Sequence, residues 1–405
     1  MTHRRQPIHV VYGGAHLFKA DTAARLGVTA LRVFKEHAPD PDALGAVLGL
    51  TPASAVRVHA QVMEKLQREP VEDFRLDFED GYGNRPDAEE DGHAESAAVE
   101  VATGAANGTL PAFLGIRIKN LGDELRERAL RTTHLFLERL LKETGGQVPP
   151  NFVVTLPKIT QSGQVGILAD AFTKIEDAHR LAPGTLRMEL MVETPQSIFD
   201  ERGAVALPGL VTEGRGRIIA AHFGTYDYTA SLGITASHQH MRHPACDFAR
   251  SVMQVALAGT DVWLSDGATN VLPVGTDRAA IHRAWRLHYD DIRHSLANAF
   301  YQGWDLHPAQ LVTRYAAVYA FFLESLDAAS ERLRNFIAKA AQATLVGEVF
   351  DDAATGQGLL NFFLRALNCG AVREDEIGAL TGLTLEELRS GSFVKIVKGR
   401  RGSPA

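Results

Sequence analysis

Phe152-Val153-Val154-Thr155-Leu156 is a run of apolar and β-branched residues in which polar positions do not alternate. A strand with one wet face would alternate, so this run suits a strand buried on both faces, as parallel strands beneath helices are. Similar runs recur on either side, each closed by a polar or glycine-containing turn and followed by helical spacing, which is the βα rhythm of a parallel sheet. Upstream lie His9–Tyr12, Phe74–Phe78 and Phe113–Ile118; downstream lie Arg187–Glu193, Ile218–Phe223, Asp261–Ser265 and the short Gly303–Leu306. Eight units suffice for closure. The expected fold is therefore α/β, a (β/α)8 or TIM barrel, with a doubly wound open sheet as its main rival.

A barrel of this kind takes about 250 residues, and the chain has 405. After about residue 310 the strand signal stops, and Tyr315, Val318, Tyr319, Phe322 and Leu323 recur at helical spacing. The expected organisation is a catalytic barrel over residues 1–312 and a C-terminal helical appendage over residues 313–405. In the appendage Phe362, Phe363 and Leu367 form an apolar face that needs burial, in the same chain or across subunits. The acidic, turn-rich segment Gly81–Glu95 reads as a surface loop beyond the second strand.

Hydrophobic content of 45% and charged content of 22% are ordinary for a globular protein with a sizeable core. No apolar run approaches the roughly 18 residues of a membrane helix, and residues 1–6 are polar and basic with no apolar stretch behind them. A cytoplasmic protein without membrane partners is expected. Cys246 and Cys369 lie far apart, which supports neither a disulfide framework nor a thiolate zinc site. A net charge of −7 argues against nucleic acid as the main partner. Against that charge, the Thr381-Gly382-Leu383-Thr384 turn within Glu374–Leu388 is a weak helix-turn-helix signal, and the basic residues Lys395, Lys398, Arg400 and Arg401 read as a solvated terminus.

Barrel enzymes place their chemistry where strands end and βα loops begin. Asp77-Phe78-Glu79-Asp80, Arg117, Glu193 and Asp227 all fall at such ends. A hard dication such as Mg²⁺, or Mn²⁺ in its place, is commonly held by one or two carboxylates, leaving positions for water and an oxygen-rich substrate. Glu193 and Asp227 are the best pair, since they close consecutive strands. Any one of these acids alone would be read as a helix cap or a surface ion pair. His238, His240 and His243 invite a zinc reading that their spacing does not secure, and a polar lid loop is the plainer interpretation.

At these same segments the chain resembles the superfamily of the citrate lyase β subunit, malyl-CoA lyase and the HpcH/HpaI aldolases. The resemblance rests on Leu76-Asp77-Phe78-Glu79-Asp80-Gly81, Ile116-Arg117-Ile118-Lys119-Asn120, Leu156-Pro157-Lys158 and Val192-Glu193-Thr194-Pro195. It continues through the segment from Gly224-Thr225-Tyr226-Asp227 to Gly233 and through Leu306-His307-Pro308-Ala309-Gln310. It runs from about residue 8 to about 312; the helical tail has no counterpart in the shorter members of the superfamily.

The resemblance implies Mg²⁺ held by Glu193 and Asp227, with Arg117 against the oxygens of a 2-oxo acid such as glyoxylate, pyruvate or oxaloacetate. Glu79 and Asp80 would carry a proton or orient water, or else only support Arg117. Gly224, Thr225 and His307 would line the substrate site, and the protein would form a homo-oligomer, a trimer or hexamer. The pyruvate aldolases carry Glu-His where this chain has Glu79-Asp80, which favours the lyase branch. The lyases open with a Pro- and Arg-containing loop that grips coenzyme A; here it reads Val11-Tyr12-Gly13-Gly14-Ala15-His16, so a coenzyme A thioester substrate is in question. The expected function is a metal-dependent carbon–carbon lyase, with a CoA-independent aldolase and a catalytically inactive binding or assembly subunit as alternatives.

Overall fold

A computed structural model describes residues 5–345 and 353–400. Eight parallel strands follow one another round a closed barrel: β1 (His9–Gly14), β2 (Asp73–Asp77), β3 (Phe113–Arg117), β4 (Phe152–Leu156), β5 (Arg187–Val192), β6 (Ile218–Phe223), β7 (Trp263–Ala268) and β8 (Gln302–Asp305). β8 pairs back onto β1, His9 beside Gly303, so no strand edge is left open. This is the (β/α)8 barrel, and the open sheet is excluded.

Two expectations need correction. The seventh strand starts at Trp263 and runs to Ala268, because Thr260 and Asp261 belong to a turn in which the Thr260 hydroxyl accepts from the Val262 N–H. Its acid can be buried because it has partners: Asp266 accepts from Arg250 at 2.9 Å and from the Ser295 hydroxyl at 2.6 Å. The segment Gly81–Glu95 is a loop only in its first part. From Asp87 it is the start of a long helix, Asp87–Asn107, whose first turn holds Asp87, Glu89 and Glu90 at the positive end of the helix dipole. Glu90 is fully buried and accepts from Lys119 Nζ at 2.6 Å.

Charge also fills part of the barrel interior. Arg75 on β2 donates to Glu189 on β5 at 2.6 and 3.0 Å and to Asp73, with all three side chains buried. Removing one member would strand a buried charge at a cost of about 3–5 kcal/mol. Burial likewise keeps His9, at the start of β1, neutral: its pKa is lowered to about 4 although Asp305 and Glu72 pull it upward. The unfolded chain takes up this proton near pH 6.5 and the folded chain only near 4, so stability present above pH 6.5 declines as the pH falls through that window. The melting temperature of the protein is expected to drop between pH 6.5 and 4, and a His9→Gln variant should show a shallower drop.

The C-terminal helices share the barrel's hydrophobic core. Leu311–Glu324 is buried along most of its length, and Phe363 is completely buried within the chain. Phe362 meets Phe322 edge-on at 5.4 Å, and Phe362 and Leu367 are partly buried against the core, so the chain covers part of the apolar face expected here. The helix Ala353–Cys369 crosses the N-terminal ends of the strands, where Asn368 exchanges hydrogen bonds with the backbone of Gln6. The segment from Glu374 holds only short helices, Glu374–Glu376 of three residues and Ile377–Thr381 and Leu385–Arg389 of five each. Residues 1–4, Arg401 and the Arg400 side chain lie outside the described residues. Cys246 and Cys369 are free and buried, and among the described residues no helix is long and apolar enough to cross a membrane.

Candidate active site

Asp77 is the last residue of β2, and the chain folds back over it. Its carboxylate accepts from the Glu79 N–H at 2.9 Å and the Gly81 N–H at 2.7 Å, so the loop after the strand is shaped by this one side chain. Arg117, the last residue of β3, meets the same carboxylate through Nε at 2.8 Å and Nη2 at 2.5 Å, a bidentate fork. Its guanidinium is buried and lies 4.9 Å from the Tyr12 ring centroid and 5.4 Å from that of Trp304. Burial opposes this charge, but Asp77 and Glu79 hold it above the ordinary arginine value. The remaining nitrogen, Nη1, lies 3.2 Å from Glu79 Oε2 and 3.5 Å from Asp80, yet neither Nη1 nor Glu79 Oε2 makes a hydrogen bond. Unsatisfied buried polar atoms are rare, and a ligand oxygen is one of the few things that would satisfy this donor.

Glu193 follows β5 and is buried, with Oε1 accepting from the Lys158 N–H at 2.7 Å. Gly224, just after β6, packs against it so closely that a Cβ there would stand 2.5 Å from Glu193 Oε2. Only glycine lets the two strand ends come together. Three residues on, Asp227 sits in the first turn of the helix Thr225–Ser231 with its carboxylate half exposed. Burial, then the charge of Asp227, pushes the Glu193 pKa up to about 7 against the pull of Lys158.

Lys158 joins the two halves. It follows β4 in the left-handed backbone region (φ 48°), a conformation that costs a non-glycine residue energy and recurs at functional sites. That turn aims its N–H at Glu193 while its ammonium contacts Glu79 and Asp80, the latter at 3.0 and 3.1 Å, and lies 3.5 Å from Asp227. Burial opposes the ammonium, but Glu79, Glu193 and Asp80 raise its pKa. In return, burial raises the pKa of Glu79 despite Arg117 and Lys158. For Asp80, whose side chain is more exposed, the two cations outweigh burial and lower it.

The expected residues Arg117, Glu79, Asp80, Glu193 and Asp227 thus form one cluster at the C-terminal mouth. Asp77 and Lys158 complete it; neither was assigned a role of its own from the sequence, although both stand at strand ends, the same signal that marked the others. Thr225 turns its hydroxyl to Met241 Sδ at 3.0 Å, and Gly224 contributes spacing. His307 accepts from the Ala309 N–H at 3.1 Å and caps the turn Pro308–Gln310, while burial lowers its pKa. His238 and His240 are exposed and His243 caps the helix Pro244–Leu257. Among the described residues no three His, Cys, Asp or Glu side chains converge as a metal cage. Two carboxylates are what a six-coordinate Mg²⁺ needs if water and substrate fill the other positions, and Glu193 and Asp227 are all-oxygen donors of that kind.

A family model described as Domain of unknown function (DUF6986) matches residues 1–396. The chain belongs to this family. No curated protein matches the sequence. Among solved structures, this DUF6986 member is similar to a citrate lyase from Burkholderia xenovorans, with 19% identity and a TM-score of 0.58 over 93% of this chain and 96% of that one. It is also similar to Haloferax volcanii malate synthase in its magnesium/glyoxylate complex, with 17% identity and a TM-score of 0.50 over 99% of each chain. The same malate synthase in a pyruvate/acetyl-CoA ternary complex gives 16% identity and a TM-score of 0.50, again over 99% of each. At such identities the likeness is one of fold. Because it spans nearly the whole chain, it takes in the C-terminal helices as well as the barrel.

Proposed function

We propose that this DUF6986 chain is an enzyme that makes or breaks a carbon–carbon bond beside the carbonyl of a 2-oxo acid, with Mg²⁺ (or Mn²⁺) held by Glu193 and Asp227. The observation that carries this reading is the buried Arg117 fork: two nitrogens are fixed by Asp77, and the third, 3.2 Å from Glu79 and 3.5 Å from Asp80, makes no hydrogen bond. When bound, the ion would supply Lewis acidity to the keto oxygen of the substrate. Arg117 Nη1 would donate to the oxygens of the oxo acid and stabilise the charge that grows there as the bond breaks. Glu79 Oε2, without a hydrogen bond, would take the β-hydroxyl proton in cleavage and return it in condensation. Lys158 would keep Glu79 and Asp80 in place. The neighbours support the substrate class, since one is called a citrate lyase and the other was captured with magnesium and glyoxylate.

One observation favours a CoA-independent aldolase over a lyase that takes a coenzyme A thioester. Gly13 and Gly14 are accounted for by packing: a Cβ on Gly13 would lie 2.8 Å from the Phe74 ring, and one on Gly14 would lie 2.6 Å from the Gly81 carbonyl oxygen. Neither glycine needs a phosphate to explain it. Incubating the Mg²⁺-loaded protein with glyoxylate, pyruvate or oxaloacetate, each with and without acetyl-CoA, is expected to give turnover or binding with at least one oxo acid. No binding and no turnover with any of the three would leave the binding or assembly subunit instead. An oligomer, trimer or hexamer, belongs to the same reading; the exposed stacked pair Phe199 and Phe248, 6.1 Å between centroids, is an apolar face such a contact would cover.

A further inference from the structure

At the opposite end of the barrel, the C-terminal helices roof a cavity of about 1260 Å³. Its wall includes Gln6, just before β1, Trp263 at the start of β7 and Tyr301 just before β8, so it opens at the N-terminal ends of the strands. The packed barrel interior separates it from Arg117 and Glu193. Ligand pockets usually span about 300–1,000 Å³; this one is large enough for a molecule of nucleotide size.

The polar groups on its wall are incompletely satisfied. Arg5, Lys65, Arg68, Arg373 and Arg389 line the cavity and each forms an ion pair. Arg365 also lines it, but among the described residues no carboxylate pairs with it. Its guanidinium lies 4.5 Å from the Tyr301 ring centroid and donates to Gln6 Oε1 at 2.6 Å. Gln6 is itself pinned, its side-chain amide donating to the Leu264 carbonyl at 3.0 Å and its backbone tied to Asn368. The Arg365 fork is thereby pre-oriented. Burial lowers its pKa with no acid to compensate, so a charge is held here at a cost. Two further lining atoms, the indole N–H of Trp263 and Oε1 of Gln61, are buried and make no hydrogen bond. A positive fork, an unused donor and acceptor, and aromatic walls are the complement of an organic oxyanion with a planar or apolar body.

We infer that this cavity is a second binding site, for a small organic anion whose carboxylate or phosphate sits on Arg365 and whose body lies beside Trp263 and Tyr301. Because the site is separated from the catalytic mouth, its ligand is not the substrate of the catalytic cluster. Trp263, one of three tryptophans in the chain, supplies an optical readout, and the Arg365 and Arg117 variants assign the signal to one end of the barrel or the other. Inorganic phosphate, citrate and adenosine monophosphate are titrated into the full chain, following tryptophan fluorescence, calorimetric heat and melting temperature. At least one of the three is expected to bind the wild-type chain, and to bind Arg365→Met about 10- to 100-fold more weakly, as losing a charge-assisted hydrogen bond implies. Arg117→Lys, altered at the other end of the barrel, should bind it unchanged. If Arg365→Met fails to fold, Arg365→Lys is used, which keeps the charge, loses the fork and should still weaken binding about tenfold. The inference is overturned if none of the three probes binds at millimolar concentration, if the folded Arg365 variant binds as tightly as wild type, or if binding is lost in Arg117→Lys instead.

Discussion

Asp227→Asn is expected to give a folded protein without activity, whose melting temperature no longer rises when Mg²⁺ is added. The substitution keeps the size of the side chain and its capacity to hydrogen bond, and removes one of the two charges proposed to hold a hard dication. Folding should be nearly unaffected, because the carboxylate is half exposed and its one ion pair, with Lys158 at 3.5 Å, contributes at most about 1 kcal/mol at such a site. The loss is partly offset, since Asp227 disfavours the charge on buried Glu193 and that repulsion disappears. Wild-type protein at a hundredfold excess of Mg²⁺ over Kd should gain about 2.7 kcal/mol by linkage, and the variant close to none. Thermal melts with and without Mg²⁺, alongside an activity assay, check this. Retained Mg²⁺ stabilisation with wild-type turnover would remove Asp227 from the metal site and the proposed mechanism with it.

Much of this fold could be read from the chain because strands buried on both faces advertise themselves. Phe152–Leu156 has no polar position to explain, and its boundaries in the structure are those its composition suggests. β7 was harder. Ser265 and Asp266 look like the end of a strand until Arg250 and Ser295 are seen to neutralise and cap the buried acid, and those partners come from other elements. The same holds for Arg75, Asp73 and Glu189, whose burial is a property of the trio and invisible to hydropathy. At the site, position along the strands marked Arg117, Glu193 and Asp227 as candidates, and the resemblance gave each its expected role. Position could not show that Asp77 clamps Arg117, or that Lys158 turns through a left-handed backbone to touch both groups of acids. Helical spacing revealed the C-terminal helices, but the cavity beneath them arises only when they are laid across the strand ends.

The geometry around Arg117 makes it the more discriminating position for a conservative change. Arg117→Lys preserves the positive charge and replaces a planar five-donor fork by a compact ammonium on a shorter reach. A lysine could answer Asp77 or a substrate oxygen, but it could not grip Asp77 by two nitrogens and hold a third toward Glu79, as the arginine does. Stacking on Tyr12 and Trp304 would weaken as well, and with it the fixed orientation of whatever donor remains. If Arg117 anchors the oxo acid and stabilises the charge developing on it, kcat/KM should fall by about 10²–10³-fold, the usual effect of losing one preorganised donor at such a site. The loss should appear in kcat as well as in KM, since the interaction strengthens as the bond breaks. A purely structural arginine would behave otherwise: the variant would lose stability while the surviving folded fraction kept its kcat. Comparing kcat per folded molecule with the melting temperature separates the two. Near-normal kcat and KM in a folded Arg117→Lys protein would mean that the nitrogen without a hydrogen bond faces no substrate, and that the fork serves only to shape the Asp77–Gly81 loop.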